Sequence, residues 1–275
     1  MQPLPPQTPS LPAVTPGSTA LFLDFDGTLA DLAAQPEAVR VADDLVPLLR
    51  LLFGHVGGAL AIVSGRRLSD LDDFLRPLKL PSAAEHGAQR RLADGQVVSI
   101  APPDLQYAIK AAVALAIQHP RLRVEIKNAA VALHYRQAPE LEMRCLQVMT
   151  DAVAASSDVE LLSGKYVFEF KPARVSKGTA IAAFMREAPF AGRVPLFAGD
   201  DVTDEAGFAA VQSLGGAGIK VGDGETLAHY RCPSPAALRQ WLHEACPHDA
   251  SSAVNPANPV EPRPATKKSS QGMPS

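Results

Sequence analysis

Three short stretches share a design that few folds accommodate. TALFLDFDGT (19 to 28), GALAIVSGR (58 to 66) and VPLFAGDD (194 to 201) each climb through apolar residues and end on small, polar or acidic ones. Near-continuous apolar runs suit strands covered on both faces, and here they alternate with helical patterns. The alternation predicts an α/β fold with a Rossmann-like parallel sheet, in which ligands gather beyond the carboxyl ends of the strands. The three endings should therefore converge on one crevice. Helices are predicted at 42–53, 68–75, 177–186, 203–211 and 235–245, with a further strand at 218–222.

Residues 88–170 read differently. RRLADGQVVSI has the pattern of a hairpin with an Asp-Gly turn, followed by a helix over 104–118. RVEIKNAAVALHYR (123 to 136) gives two alternating strands around an Asn-Ala turn, then a helix over 140–155, and VELLSGKYVFEFK (159 to 171) closes the set as another hairpin. Strand pairs alternating with single helices predict a compact α+β insert resting on a core made of 18–87 and 171–246, and sites commonly form between domains. The ends, 1–17 and 247–275, are proline-rich with little large apolar content and are expected to be disordered.

Several function classes fall away on composition. A net charge of −3 gives no general pull toward nucleic acid or membrane. The longest apolar candidate for a span, AIKAAVALAI (108 to 117), carries Lys110 and falls short of the ~18 residues a membrane helix needs. The N-terminus lacks the basic and apolar regions of a secretory signal. Cys145, Cys232 and Cys246 form no CxxC pair, which suits reduced thiols in the cytoplasm rather than a disulfide framework or a zinc site.

The strand ends carry an electrostatic problem. Asp24 and Asp26 end the first run, and Asp200, Asp201 and Asp204 end the third. Two like charges ~4 Å apart at an effective dielectric of ~20 repel by about 4 kcal/mol. A divalent cation relieves this, and hard oxygen donors without a His or Cys cluster favour Mg²⁺. Lys177 lies in the first turn of a helix that Ser176 would cap, where a cation opposes the helix dipole unless an anion is near. Ser64, in IVSGRR, offers a hydroxyl and neighbouring N–H groups suited to a phosphate. Read singly, each motif also fits an ordinary role: an Asp-rich turn, an acidic first helical turn, a solvated lysine, a strand-to-helix turn. Asp31 reads as a polar residue beyond the turn.

Together the four motifs DFDGT (24 to 28), VSGR (63 to 66), SKG (176 to 178) and GDDVTDE (199 to 205) resemble, in order, the signatures of the haloacid dehalogenase superfamily of phosphotransferases. The resemblance spans about 20 to 222. It implies Asp24 as nucleophile and Asp26 as general acid and base, with Ser64 and Lys177 holding the phosphoryl oxygens. It also implies Mg²⁺ on the Asp24 carboxylate, the Asp26 carbonyl and Asp200, with Asp204 as an outer partner.

The insert falls between VSGR and SKG, where C2-type members carry an α+β cap. Its text, with AEHGA (84 to 88), VEIKNAAVALHYR, SGKYVFEFKP and DDVTDE, is similar to the trehalose-6-phosphate phosphatase family. That likeness implies trehalose 6-phosphate as substrate, supplied by a separate trehalose-6-phosphate synthase, and a monomeric enzyme. It implies substrate contacts at Arg66, His86, Gly87, Glu125, Lys127, Arg136, Lys165 and Glu169. Period two puts Glu125 with Lys127, His134 with Arg136 and Lys165 with Glu169 on shared faces, a pattern that suits hydroxyl recognition or cross-strand ion pairs. Another C2-capped phosphatase, acting on sucrose phosphate or mannosylphosphoglycerate, and a sugar-phosphate sensor without turnover remain alternatives.

Overall fold

The computed structural model describes residues 10–33 and 38–246. In chain order the elements are β1 (Thr19–Leu23), α1 (Leu45–His55), β2 (Leu60–Val63), α2 (Leu68–Phe74), β3 (Ser82–Ala84), β4 (Gln89–Arg91), β5 (Val97–Ser99), α3 (Gln106–Gln118), β6 (Arg123–Ile126), β7 (Val131–His134) and α4 (Glu142–Ala154). There follow β8 (Val159–Gly164), β9 (Val167–Pro172), α5 (Lys177–Phe184), β10 (Val194–Gly199), α6 (Glu205–Ser213), β11 (Ala217–Val221), β12 (Tyr230–Cys232) and α7 (Pro235–Glu244). Eight strands form one sheet in the order β12-β11-β10-β1-β2-β3-β4-β5, and β6-β7-β9-β8 form a second. The strands from β12 through β3 pair in parallel.

Every residue of β1 and β2 is buried, as their unbroken apolar text requires. Register aligns their ends: Leu23 pairs with both Ala198 of β10 and Ile62 of β2. The residues just beyond, Asp24, Ser64 and Asp200, consequently emerge at one rim. Helix starts follow local chemistry. The Ser176 hydroxyl accepts from the Thr179 N–H while the Thr179 hydroxyl accepts from the Ser176 N–H, fixing the first turn of α5. Ser234 and Pro235 open α7 in the same spirit, with Ser234 accepting from the Ala237 N–H.

The core of the large sheet is built around Phe22, whose ring lies 5.4 Å from that of Phe190 and 6.2 Å from that of Phe184. The second unit has its own core, where Leu115, Cys145 and Met149 from α3 and α4 meet Leu133, Phe168 and Phe170 of the small sheet. Its other face carries Glu125 and Glu169. All three cysteines are free and buried. Among the described residues no helix is long and apolar enough to cross a membrane.

Three features depart from the sequence reading. The 89–99 hairpin, expected in the insert, extends the core sheet, because the turn after β3 sends β4 back antiparallel along it, with Ser82 opposite Arg91. Strands β3 and β12, three residues each, were not foreseen. Residues 10–17, expected in a loose leader, lie against the core: Val14 is buried, its carbonyl 3.2 Å from His55 Nε2, and the Thr15 N–H donates to Thr19 Oγ1. Leu11 and Val14 supply apolar anchors among the prolines. The rest of that leader, 1–9, and the tail, 247–275, lie outside the described residues.

Replacing Phe22 by Ala removes a fully buried ring from this cluster and should lower unfolding free energy by about 3–5 kcal/mol. Urea denaturation should show an earlier midpoint at unchanged slope, whereas an unmoved midpoint would deny Phe22 its central place.

Candidate active site

Lys177 brings the distant motifs together. Its ammonium, buried at the start of α5, donates to Asp24 Oδ1 at 2.7 Å and to Asp204 Oδ1 at 2.6 Å. The other oxygen of Asp24 accepts from the Thr28 hydroxyl at 3.1 Å. Asp204, inside the helix expected over 203–211, lies instead in a 3-10 turn just before α6, and its second oxygen accepts from the N–H groups of Asp200 and Asp201. Held in this way, Asp204 orients Lys177 and shapes the turn that presents Asp200.

Asp24, Asp200 and Asp204 each offer an oxygen within 4.8 Å of the others. Burial, together with the neighbouring Asp204 and Asp200 and against the pull of Lys177, pushes the Asp24 carboxyl well above the usual carboxylate range. Burial and then Asp204 raise Asp200 to about 7. Lys177 loses solvation as well, but Asp204 and Asp24 more than offset this and hold its charge firmly. One ammonium among three carboxylates leaves the cluster short of positive charge. The all-oxygen donor set fits a hard divalent cation. The Asp200 carboxylate also runs so close to the DFDGT turn that a Cβ on Gly27, where φ is +77°, would fall 2.1 Å from it; only glycine fits there.

Above this floor opens a cavity of about 850 Å³ between the two sheets. Asp24, Asp26, Ser64, Lys177 and Asp200 line it from the core, and Glu125, Lys127, Arg136, Lys165 and Glu169 line it from the insert, with Arg66 and His86 at the seam. Gly87 does not line it; a Cβ there would meet Ala180 at 2.8 Å, so this glycine serves close packing on α5.

Many of the charged groups already hold one another. Arg66 grips both oxygens of Asp26 at 2.6 Å, and its guanidinium lies over the rings of Phe74 and Phe25 at 4.8 and 5.7 Å. Glu125 meets His134 at 3.0 Å. Lys127 donates to Glu169 at 2.8 Å and to the Gly65 carbonyl of the core at 2.9 Å. Arg136 stacks on Tyr166 and donates to the Lys165 carbonyl. Burial works to raise the Glu169 carboxyl, yet Lys127 and His86 hold it well below the usual range. Burial also depresses His86, favouring a neutral ring despite Glu169. The second oxygen of Glu169 is buried without a hydrogen-bond partner.

Three contributors escaped the sequence reading. Thr28, the last residue of DFDGT, holds the second oxygen of Asp24 with its hydroxyl. Lys220, buried on β11, donates to the Asp200 carbonyl and steadies that loop; a lysine inside the apolar run AGIKV was the available signal. Glu85 at the end of β3 gave no signal beyond its place in AEHGA.

Comparison with known proteins agrees with this geometry. Residues 22–235 match the trehalose-phosphatase family. The chain is 41% identical over 239 residues to the trehalose-6-phosphate phosphatase of Escherichia coli (strain K12), covering 86% of this chain and 88% of that protein. It is 45% identical over 205 residues to a probable trehalose-phosphate phosphatase of Sinorhizobium fredii, covering 74% and 77%. A solved trehalose-6-phosphate phosphatase related protein aligns with TM-score 0.66 at 30% identity, over 82% of this chain and 96% of that one. The C-terminal domain of the C. albicans trehalose-6-phosphate phosphatase aligns with TM-score 0.76 at 23% identity, over 85% and 98%, a likeness of fold. The chain belongs to the trehalose-phosphatase family and is built on the haloacid dehalogenase-like fold.

Proposed function

We propose that this chain hydrolyses trehalose 6-phosphate to trehalose and inorganic phosphate with the help of Mg²⁺, in the cytoplasm. The observation that carries this reading is Lys177 bridging Asp24 and Asp204 beside Asp200, directly beneath a polar wall from the insert. The ion would be held by the Asp24 and Asp200 carboxylates and the Asp26 carbonyl. When bound it supplies positive charge to the phosphoryl oxygens and the surrounding carboxylates.

In this reading Asp24 is the nucleophile. Its oxygen forms a bond to phosphorus as the bond from phosphorus to the sugar O6 breaks, and Asp26 gives its proton to the departing oxygen. Asp26 then takes a proton from water, which attacks the phosphorus of the aspartyl-phosphate and frees phosphate and Asp24. Thr28 and Lys177 fix the two oxygens of Asp24, so the carboxylate is oriented before substrate arrives. Ser64, lining the cavity at the end of β2, would hold a phosphoryl oxygen. Both oxygens of Asp26 are engaged by Arg66 in the substrate-free arrangement. The acid role therefore requires that pair to part, and an incoming phosphate is an anion able to compete for Arg66.

Selectivity belongs to the insert, where Glu125, Lys127, Arg136, Lys165 and Glu169 face the cavity. Hydroxyls satisfy such a row of charged donors and acceptors well. With the insert seated over the core, bulk water is kept from the reacting phosphorus.

The reading is tested by a phosphate-release assay across sugar phosphates with and without Mg²⁺. Trehalose 6-phosphate should be turned over with the highest kcat/KM, and chelation should remove activity; faster turnover of sucrose phosphate or mannosylphosphoglycerate would reassign the substrate. Asp24→Asn should abolish phosphate release while circular dichroism shows an intact fold, and retained turnover would unseat the nucleophile. Lys127→Ala should lower kcat/KM on trehalose 6-phosphate by about 10- to 100-fold, the measure of a charge-assisted hydrogen bond worth about 1.5–3 kcal/mol. The loss should be smaller on p-nitrophenyl phosphate, and equal losses would remove Lys127 from sugar recognition.

A further inference from the structure

Glu85 is 2% exposed and occupies an unusual place. It follows β3 with φ at +48°, and His86 and Gly87 follow at +59° and +113°. Two successive non-glycine residues in the left-handed region are strained, and such strain persists only where its surroundings impose it. Here the Glu85 N–H donates to the Arg66 carbonyl at 2.8 Å and the His86 N–H to the Ser64 carbonyl at 2.9 Å, binding the turn to the VSGR segment.

The side chain leaves the core altogether. One carboxylate oxygen accepts from the Asn128 backbone N–H at 3.1 Å and from the Asn128 side-chain amide at 2.8 Å, and the other accepts from the Ala129 N–H at 2.8 Å. Successive N–H groups converging on one carboxylate form an anion-binding nest, and here the anion comes from the protein itself. The gripped segment is the β6–β7 turn, closed by the Lys127 N–H on the Ala130 carbonyl. Ala129 of that turn packs in a small apolar cluster with Ala88 after β3 and Val175 in the strand-to-helix link before α5. Lys127 opens the turn and reaches back to Glu169 and to the Gly65 carbonyl. Glu85 thus touches the segment carrying Ser64 and Arg66 through its backbone and the segment carrying Lys127 through its carboxylate.

We propose that Glu85 is a positioning residue through which the core sets where Lys127 of the insert stands over the phosphate site. It contacts neither the phosphoryl group nor the sugar and acts through the turn it holds. The inference rests on the sugar-phosphatase reading above and deepens it: discrimination for a large sugar ester depends on the alignment of the insert, and this contact supplies the alignment.

The test combines kinetics with hydrogen exchange on the intact chain in Mg²⁺. In the unaltered protein the Asn128 and Ala129 amides should exchange slowly, and exchange at free-loop rates would overturn the proposal. Glu85→Ala should release those two amides while β6 and β7 stay protected. It should lower kcat/KM on trehalose 6-phosphate by about 100-fold, as small misplacements of binding groups do, and leave p-nitrophenyl phosphate turnover nearly unchanged. Equal losses on both esters would make Glu85 a plain support of the core and overturn the proposal. If Glu85→Ala does not fold, Asn128→Ala decides: it removes one of the three donors and should cost severalfold on the sugar ester alone, whereas unchanged turnover would count against the contact. If the unaltered protein cleaves p-nitrophenyl phosphate but not trehalose 6-phosphate, the substrate reading fails, and the exchange measurement alone decides whether Glu85 holds the turn.

Discussion

The ammonium of Lys177, between Asp24 and Asp204, is the contact on which the rest of the site depends. A lysine in the first turn of a helix opposes the helix dipole and loses hydration when buried. Here it is tolerated because two carboxylates from other strand ends reach it at 2.6 and 2.7 Å. Those carboxylates depend on the lysine in turn, since burial and mutual repulsion push Asp24 upward. With Asp200 also raised to about 7, the cluster still lacks positive charge. Its geometry therefore calls for a cation. The contact also joins β1 to the start of α5, 153 residues apart in sequence, so the arrangement exists only once the sheet has closed.

The two sheets supply different walls of the cavity. The parallel sheet presents Asp24, Ser64 and Asp200 at one rim, placed by a register that brings Leu23, Ile62 and Ala198 level. The antiparallel sheet buries one face against its own helices and turns the other, with Glu125 and Glu169, toward the cavity. Between them lie short polar ties from the core, the Gly65 carbonyl on Lys127 and the Glu85 carboxylate on the next turn. An insert held by a few polar contacts can align a substrate precisely enough for chemistry without being fused to the core.

What the sequence revealed follows the range of the interactions involved. Strands β1, β2 and β10 were legible because covered strands need unbroken apolar text, and the motif residues were legible because each stands at the end of such a strand. The 89–99 hairpin is legible as a hairpin, but its place at the edge of the core sheet rather than in the insert is not, since a turn fixes local pairing and says nothing about which distant edge it joins. Strands β3 and β12 are too short to carry periodicity. Asp204 was foreseen as acidic and close to Asp200, yet its work in the turn came from backbone N–H groups that no side-chain pattern records. Glu85 is the extreme case, because its partners lie 43 and 44 residues away and are mostly main chain.

The substrate-free site is already internally paired, and this shapes how it can discriminate. Asp26 with Arg66, Glu125 with His134 and Lys127 with Glu169 each satisfy one another within 3.0 Å. A ligand entering the cavity meets paired charges rather than vacant ones, so wherever it displaces a pair the new contacts are set against those lost. For a ligand that breaks the pairs and lacks a hydroxyl or phosphate to replace them, buried groups are left unmatched and the penalty is large. A site arranged in this way gains selectivity without needing very tight binding, which suits an enzyme that must release a neutral disaccharide after each turnover.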